Sequence, residues 1–229
     1  MIVDVVHVVV PAHDEEELLG ACLASVATAA TALVTDLPGV VVRTTVVLDG
    51  CTDGTAAVAA TYGVDTVAVD ATSVGVARAT GVERVAAQAE GHPPERVLVV
   101  STDADCVVPE RWLVDLWALA SAGFDLVVGA VDPDPADLPS GVLDRWRDRH
   151  RRPEAHVHGA NLAFTLAAYA RSGGLRPVRL HEDVLLVAAM RDAGCRWTTA
   201  TSVRTSGRTM GRVPGGFATY LAGMVAQAE

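Results

Sequence analysis

Lysine is absent from this 229-residue chain, so every fixed positive charge is an arginine. Many loops that hold a triphosphate need a lysine, and no glycine-rich loop or G-x-G-x-x-G segment follows the first apolar run. Both absences argue against a nucleotidyltransferase and against a dinucleotide-dependent oxidoreductase. A net positive charge is missing too: the formal charge of −10 argues against nucleic acid as the main partner.

Cysteine is scarce, and the four residues Cys22, Cys51, Cys106 and Cys195 form no C-x-x-C pair. This pattern is typical of reduced thiols in a cytoplasmic protein. The first ten residues carry no Lys or Arg, so no signal peptide is predicted. The longest uncharged stretch, residues 18–35, is dominated by Ala, Thr and Ser. We predict a buried amphipathic helix there rather than a transmembrane segment.

Apolar runs alternate with segments of helical periodicity through the first 131 residues. Alternation of this kind predicts a mostly parallel sheet covered by helices. The predicted strands are residues 3–10, 40–48, 64–69, 97–100 and 126–131. The predicted helices are a first one capped by Asp14 and Glu17, then residues 55–62, 75–90 and 109–121.

From Asp132 onward the pattern changes to an acidic, proline-rich loop and then a dense charge run at residues 144–152. The run predicts a solvated helix, with the lining of a substrate groove as the alternative. The later predictions are a short strand at 159–164, a helix that ends before Gly173–Gly174, a helix at 181–193, a strand at 197–203, a basic loop at 204–212 and a terminal helix from about 216.

Two aspartates, Asp103 and Asp105, come shortly after the apolar run 97–100. Such a run predicts a strand buried on both faces, and ligands of open α/β sheets bind beyond the carboxyl ends of the strands. Two carboxylates there cost free energy unless they are neutralised. A hard divalent cation held together with a substrate phosphate would neutralise them. The alternative is a solvated acidic turn that caps the next helix.

Two more acidic pairs occur at comparable places: Asp49 and Asp53 after the predicted second strand, and Glu182–Asp183 at a predicted helix start. Taken in order over nearly the whole chain, these segments resemble the family 2 glycosyltransferases, which have the GT-A fold. The segments that carry the resemblance are Val8–Glu15, Val46–Thr55, Gly75–Gly81, Asp103–Asp105, Gly159–Asn161, Gly173–Gly174 and Glu182–Asp183.

The resemblance implies an α/β GT-A fold, with a mostly parallel central sheet and helices on both faces, in a single domain over residues 1–229. Residues 1–106 would form the Rossmann-like half that binds the nucleotide sugar, and residues 107–229 the half that binds the acceptor and carries the base. The implied reaction transfers a sugar from a nucleotide-diphosphate sugar to an acceptor hydroxyl, with Mg²⁺ or Mn²⁺. UDP is the expected nucleotide, and the acceptor would be a small molecule or a glycan.

The resemblance also assigns residues to the donor side. His13 would lie against the base and Asp49 would hydrogen-bond it, while Arg78 would face the nucleotide or its diphosphate. Asp105 would bind the metal, and Asp103 would support the ribose or the ion. The remaining residues expected on the donor side are Pro11, Ala12 and Glu15.

On the acceptor side, Asp183 would be the general base that deprotonates the acceptor hydroxyl, so that one displacement inverts the configuration. Glu182 would place the helix of the base or touch the acceptor. Gly159 and Asn161 match the acceptor-side motif of the family. Some members use a late histidine as a metal ligand, but none follows His181. Instead the sequence suggests diphosphate contacts by the basic loop, through Arg204, Arg208 and Arg212.

Simpler interpretations of these residues stay open. His13 can be an ordinary turn residue, Arg78 a surface arginine, and Glu182–Asp183 favourable charge in a first helical turn. Asp53 can merely hold its own loop through an Asx-type hydrogen bond. At the level of function, a catalytically inactive GT-A-like domain that binds a nucleotide or sugar is the alternative. The oligomeric state is open, and a homodimer is compatible with the sequence.

Overall fold

The computed structural model describes residues 2–150, 156–178, 180–211 and 216–227. In these ranges the chain forms an eight-stranded sheet in the order β3-β2-β1-β4-β7-β6-β8-β5. The strands are β1 (Val5–Ala12), β2 (Val41–Asp49), β3 (Asp65–Val69), β4 (Val97–Ser101), β5 (Cys106–Val107), β6 (Leu126–Pro133), β7 (Leu162–Thr165) and β8 (Trp197–Thr205). The helices are α1 (Leu19–Asp36), α2 (Thr55–Thr61), α3 (Val74–Gln88), α4 (Trp112–Ser121), α5 (Val142–Arg149), α6 (Leu166–Arg171), α7 (Glu182–Asp192) and α8 (Phe217–Ala226).

The sheet is mostly parallel, as predicted. Strands β3, β2, β1 and β4 run parallel to one another, and β6 runs parallel to β8. Strand β7 is antiparallel to both β4 and β6, and β5 is antiparallel to β8. Six strands therefore share one direction. Their carboxyl ends meet along one edge, where ligands of open α/β sheets bind.

The core has two layers, one on each face of the sheet. In β1, Val6, Val8 and Val10 pack with α1 and α4, while Val5 and Val9 pack with α3 and α7. Burial on both faces explains why this strand is a nearly continuous run of valines. The GT-A-like arrangement of helices on both faces follows from this two-sided burial.

Helix α1 is the one helix among the described residues that is long and apolar enough to cross a membrane by length and composition. Its large apolar side chains, among them Leu19, Leu23 and Leu33, are buried against the sheet at helical spacing. Small and polar residues occupy much of its other face, where Thr28 and Thr31 donate to backbone carbonyls of their own helix. The predicted helix is therefore present, and its large apolar side chains lie inside the protein.

Some local predictions were wrong. Asp14 does not cap α1: its backbone is left-handed (φ 52°), and its carboxylate accepts the Thr52 backbone N–H instead. The predicted strand at 159–164 begins only at Leu162, because residues 159–161 form a 3₁₀ turn. The charge run is a helix, but it is only partly solvated, since Trp146 is buried. Residues 151 and 152 of that run lie outside the described residues.

A buried histidine in the middle of β1 makes the fold sensitive to acid. His7 is fully buried, and its Nε2 lies 2.8 Å from Thr45 Oγ1. Because that hydroxyl donates its own proton to Asp65, the Nε2 atom of His7 carries the ring proton, and Nδ1 has no partner among the residues that the structure describes. Burial, with Arg43 nearby, lowers the pKa of His7 to about 4. The folded protein therefore keeps this ring neutral.

We expect the free energy of unfolding to fall as the pH drops from about 6.5 to about 4, because only the unfolded chain protonates this ring readily. The loss attributable to His7 should approach about 3 kcal/mol and stay constant below pH 4. Urea denaturation of wild type and His7→Leu at about pH 7 and about pH 4.5 measures it. The variant should lose less stability than wild type over this range. The exposed residue His92, changed to leucine, is the control, and equal losses in all three proteins would contradict the expectation.

Candidate active site

The candidate site lies at the carboxyl edge of the sheet, where the ends of β1, β2 and β4 meet the start of α7. Pro11 and Ala12 end β1 and are buried. In the turn that follows, His13 Nδ1 lies 2.5 Å from the backbone oxygen of Asp49. A carbonyl oxygen can only accept, so Nδ1 carries a proton and Nε2 of the neutral ring is left as an acceptor.

Asp49 organises the loop that leads into α3. Its carboxylate accepts three backbone N–H bonds, from Ala71, Thr72 and Ser73, at 2.7–2.9 Å, and the residue is 3% exposed. In the structure the Asp49 carboxylate holds the loop and its backbone oxygen orients His13, while the hydrogen bond from this carboxylate to the base stays a prediction.

Two short turns next to this loop interlock through acidic side chains. Asp14 accepts from the Thr52 backbone N–H at 2.7 Å, and Asp53 accepts from the Glu16 backbone N–H at 3.1 Å. Asp53 also accepts from its own loop, from the Thr55 N–H at 2.9 Å. The Asx-type role considered for Asp53 is thus confirmed, and the turn after β1 is rigidly tied to the turn after β2.

Asp103 and Asp105 stand just beyond the end of β4, as predicted. The two-residue strand β5, which pairs with the end of β8, brings Thr205 against this segment. Thr205 Oγ1 donates to Asp105 Oδ1 at 3.2 Å, and Arg208 Nη2 lies 3.0 Å from Asp105 Oδ2. Strand β5 was not predicted, because a run of two residues has no recognisable periodicity.

Negative charge is concentrated around Asp105, whose side chain is only 13% exposed. Burial, with the neighbouring Asp103, raises the pKa of Asp105 to about 6, although Arg208 opposes the shift. Arg208 also forms a two-pronged ion pair with Glu15, at 2.7 and 3.0 Å. The guanidinium of Arg208 is therefore a positive charge that balances Asp105 and Glu15.

The described part of the basic loop places its arginines in two different environments. Arg208 points into the candidate site, whereas Arg204 belongs to β8 and pairs with Asp134 at 3.2 Å, half exposed. Arg212 lies outside the described residues. Asp137 anchors the loop by accepting from the Gly207 backbone N–H at 2.8 Å. This anchored loop places Arg208 in the site.

The carboxylate pair has the chemistry of a site for a hard cation. Among the described residues, no three His, Cys, Asp or Glu side chains are grouped so that they could hold a metal alone. Mg²⁺ usually takes one or two carboxylates from the protein and its other ligands from water and substrate phosphates. Asp103 and Asp105 fit that pattern, and the raised pKa of Asp105 marks a carboxylate that a nearby cation would stabilise.

Arg78 is buried, which contradicts its interpretation as a surface arginine, and it faces two carboxylates of the protein. Its guanidinium is buried and donates to Asp103 Oδ1 at 2.5 Å and to Glu182 Oε1. Glu182, predicted either to place the helix that begins here or to touch the acceptor, is 3% exposed and is held by this arginine. Burial raises the pKa of Glu182, and Arg78 opposes that shift.

Asp183 is held at the start of α7 by two backbone groups. Its Oδ2 accepts the Gly159 N–H at 2.7 Å, and its Oδ1 accepts the Val184 N–H at 2.8 Å. Because both bonds come from backbone, the carboxylate is fixed in orientation and still has lone pairs that can accept a proton. These contacts suit a general base whose direction must be set.

Asn161 is a structural residue in the part of the chain that the structure describes, and its contact with the acceptor stays a prediction. It is 1% exposed, accepts from Trp112 Nε1, and donates to the backbone oxygens of Ala130 and Thr201. It thereby fastens α4, β6 and β8 to one another. Trp112 is buried with it, as expected for a core tryptophan.

His158 is a residue near the base that the sequence did not single out. It directly precedes Gly159, and its ring lies 6.1 Å from Trp146 and 6.0 Å from Phe217, centroid to centroid. Burial lowers the pKa of His158 to about 4, while the charge of Asp183 acts in the opposite direction. The neutral ring is close enough to Asp183 to feel its charge, and no motif spacing in the sequence would have indicated it.

Comparison with known proteins gives a consistent family and fold. The model of the family "Glycosyl transferase family 2" matches residues 7–199. No curated protein sequence matches the chain significantly. Among solved structures, TarS of S. aureus superposes with a TM-score of 0.65 at 16% identity, over 88% of this chain and 36% of TarS.

Two further solved structures are similar. Glucosyl-3-phosphoglycerate synthase of Mycobacterium tuberculosis, in complex with Mn²⁺, UDP and glucosyl-3-phosphoglycerate, has a TM-score of 0.61 at 18% identity, over 98% of this chain and 77% of that one. The mannosyltransferase PcManGT of Pyrobaculum calidifontis, in complex with GDP-Man and Mn²⁺, has a TM-score of 0.62 at 21% identity, over 90% and 58%. The chain thus spans less than two thirds of TarS and of the mannosyltransferase. These likenesses show that its fold is GT-A.

Proposed function

Since the chain belongs to glycosyl transferase family 2, we propose that it transfers a sugar from a nucleotide-diphosphate sugar to an acceptor hydroxyl with the help of Mg²⁺ or Mn²⁺. One observation carries the proposal: the ion pairs of Arg78 bring the Asp103–Asp105 segment and the helix of Asp183 to the same edge of the sheet. A site for leaving-group stabilisation and a candidate base therefore adjoin.

On the donor side, Asp103 and Asp105 would hold the metal, which would neutralise the charge that develops on the departing diphosphate. Similar structures contain UDP or GDP-Man, and UDP is the donor nucleotide that we propose. His13 would present Nε2 as an acceptor to a base N–H, because its Nδ1 is committed to the Asp49 carbonyl. The buried residues Pro11 and Ala12 would shape the floor beneath the base.

On the acceptor side, Asp183 would remove the proton of the attacking hydroxyl, and a single displacement would invert the anomeric configuration. Its two backbone hydrogen bonds support this role because they fix the direction of the carboxylate. The neutral His158 ring would border the acceptor. A small molecule or a glycan is the acceptor class that we propose.

A thermal-shift panel tests the function directly. UDP, GDP, dTDP, CDP and ADP are each added with Mn²⁺, Mg²⁺ or EDTA, and Tm is measured. A ligand that binds only the folded state stabilises it by about 2.7 kcal/mol at a hundred times its Kd. We expect one nucleotide, UDP, to raise Tm with metal but not with EDTA. Binding without any turnover of the nucleotide sugar would support the inactive binding domain, and no shift at all would contradict nucleotide binding.

Arg208→Ala should raise the apparent KM for the donor about tenfold, because a guanidinium that now pairs with Glu15 and Asp105 would contact the diphosphate. Initial rates at varied donor concentration and saturating acceptor measure this change. Arg204→Ala is the matched control from the same basic segment, since its side chain is half exposed and pairs with Asp134 instead. An unchanged donor KM in Arg208→Ala would refute the diphosphate contact.

A further inference from the structure

A buried arginine connects the two functional parts of the site. From α3, Arg78 donates to Asp103 on one side and to Glu182 on the other. The side chains of Arg78 and Glu182 are 8% and 4% exposed, whereas that of Asp103 is 34% exposed. The three charges thus form a line that begins at the edge of the proposed metal site and ends inside the protein, at the first residue of α7.

The surrounding backbone leaves space for this line of charges. A Cβ at Gly159 would overlap the Arg78 guanidinium, and a Cβ at Gly75 would lie 3.1 Å from Glu182 Cγ. Gly159 is also the residue whose N–H binds Asp183 at 2.7 Å. Two of the glycines in the family-like motifs are therefore explained by contact with this ion pair rather than with a ligand. Gly159 therefore lies against both Arg78 and the candidate base, Asp183.

We propose that Arg78 is a positioning residue that sets the placement of the Asp183 base relative to the metal-binding aspartates, an inference that rests on the proposed glycosyltransferase function. Because Arg78 binds Oδ1 of Asp103, the other carboxylate oxygen, Oδ2, can serve the donor side of the site. By holding Glu182, Arg78 fixes the first turn of α7, in which Asp183 is the next residue. One guanidinium then sets the spacing between the leaving group and the base.

The geometry requires an arginine and not merely a positive charge. The planar guanidinium reaches two carboxylates from two different nitrogens, whereas a lysine ammonium is a compact point charge on a flexible stem. Arg78→Lys retains a cation beside Asp103 and Glu182, so that neither is left without a counter-charge, but it loses the fork. A misplacement of about 1 Å at a catalytic group can cost about a hundredfold in rate.

The test compares kcat with donor affinity. In Arg78→Lys we expect kcat for transfer to fall about a hundredfold, while the Kd of the metal–nucleotide complex, measured calorimetrically, changes less than about threefold. Glu182→Gln should show the same pattern, because it weakens the same link while keeping an acceptor oxygen. If Arg78→Lys does not fold, Glu182→Gln tests the proposal by itself. Arg84→Lys, on an exposed ion pair with Asp65, is the control and should leave both quantities unchanged.

A double variant distinguishes an effect on the position of Asp183 from a general loss of activity. If Arg78 acts through the base, adding Arg78→Lys to Asp183→Asn should lower kcat by less than about threefold beyond Asp183→Asn alone. Additive losses would overturn the proposal, as would a loss confined to donor Kd, which would make Arg78 a nucleotide ligand. Absence of metal-dependent nucleotide binding and of transfer in the wild-type protein would instead refute the proposed function itself.

Discussion

Replacing Asp105 by asparagine is expected to lower kcat/KM for sugar transfer by about a thousandfold, because metal stabilisation of a departing group supplies several kcal/mol. The side chain is buried, and its raised pKa of about 6 shows that its charge is costly in the absence of a stronger cation than Arg208. An isosteric neutral amide removes the metal ligand and keeps the shape. Initial rates of nucleoside diphosphate release, at several Mn²⁺ and Mg²⁺ concentrations, measure the effect.

The fold itself should tolerate this change. The new amide oxygen can accept from Arg208 while its NH2 donates to the Thr205 hydroxyl, and Arg208 keeps its two-pronged pair with Glu15, so Tm should not fall appreciably. Asp115→Asn, at an exposed position of α4, is the matched control and should leave kcat/KM unchanged. Wild-type activity in Asp105→Asn, or activity indifferent to EDTA in the wild-type protein, would remove Asp105 from a metal site.

The strands of the first half could be predicted because their own composition specifies them. A strand such as β1, buried on both faces, needs apolar side chains at nearly every position and appears as a run of valines. Strand β5 could not be found in this way. It consists of two residues whose extended conformation depends on pairing with β8, about a hundred residues later, and contacts at such separations leave no local pattern.

The site could be predicted in its location but less well in its contacts. The sequence indicated which segments meet, because strand ends and helix starts are readable from local pattern. It did not indicate that Arg78 is directed inward, since this depends on the space left at Gly159. Asn161 was similarly ambiguous: an amide can bind a ligand or cross-link three elements, and only the positions of Trp112 and Ala130 decide.

Charge balance explains why charged side chains of the motifs point into the protein. Near the end of β4 the protein needs internal cations, because four carboxylates lie there: Glu15, Asp103, Asp105 and Glu182. Arg78 and Arg208 supply them, each shared by two carboxylates. A buried carboxylate without such a partner would be costly, so these arginines are first of all the counter-charges that allow an acidic site to fold. Arg208, 31% exposed, is the one placed to exchange its partners for a ligand.

Asp183→Asn should reduce kcat for transfer about a thousandfold, because a positioned general base contributes about 10²–10⁴-fold. The loss should appear in kcat and not in donor binding, since the residue lies on the acceptor side of the Arg78 ion pairs. The amide oxygen can still accept one of the two backbone N–H groups, from Gly159 or Val184, so the start of α7 should stay in place. Steady-state rates with saturating donor and acceptor, beside calorimetric titration of the metal–nucleotide complex, measure both quantities.

Asp192→Asn provides a matched control, because it makes the same chemical change at the exposed last residue of the same helix. It should leave kcat unchanged. The pH profile gives an independent criterion: the acidic limb of kcat in the wild-type protein reports the base, so this limb should be absent from the residual activity of Asp183→Asn. Two results would assign the proton transfer to another group, namely an unchanged kcat or a surviving acidic limb. In the second case the neutral ring of His158, which feels the charge of Asp183, would be the next residue to replace.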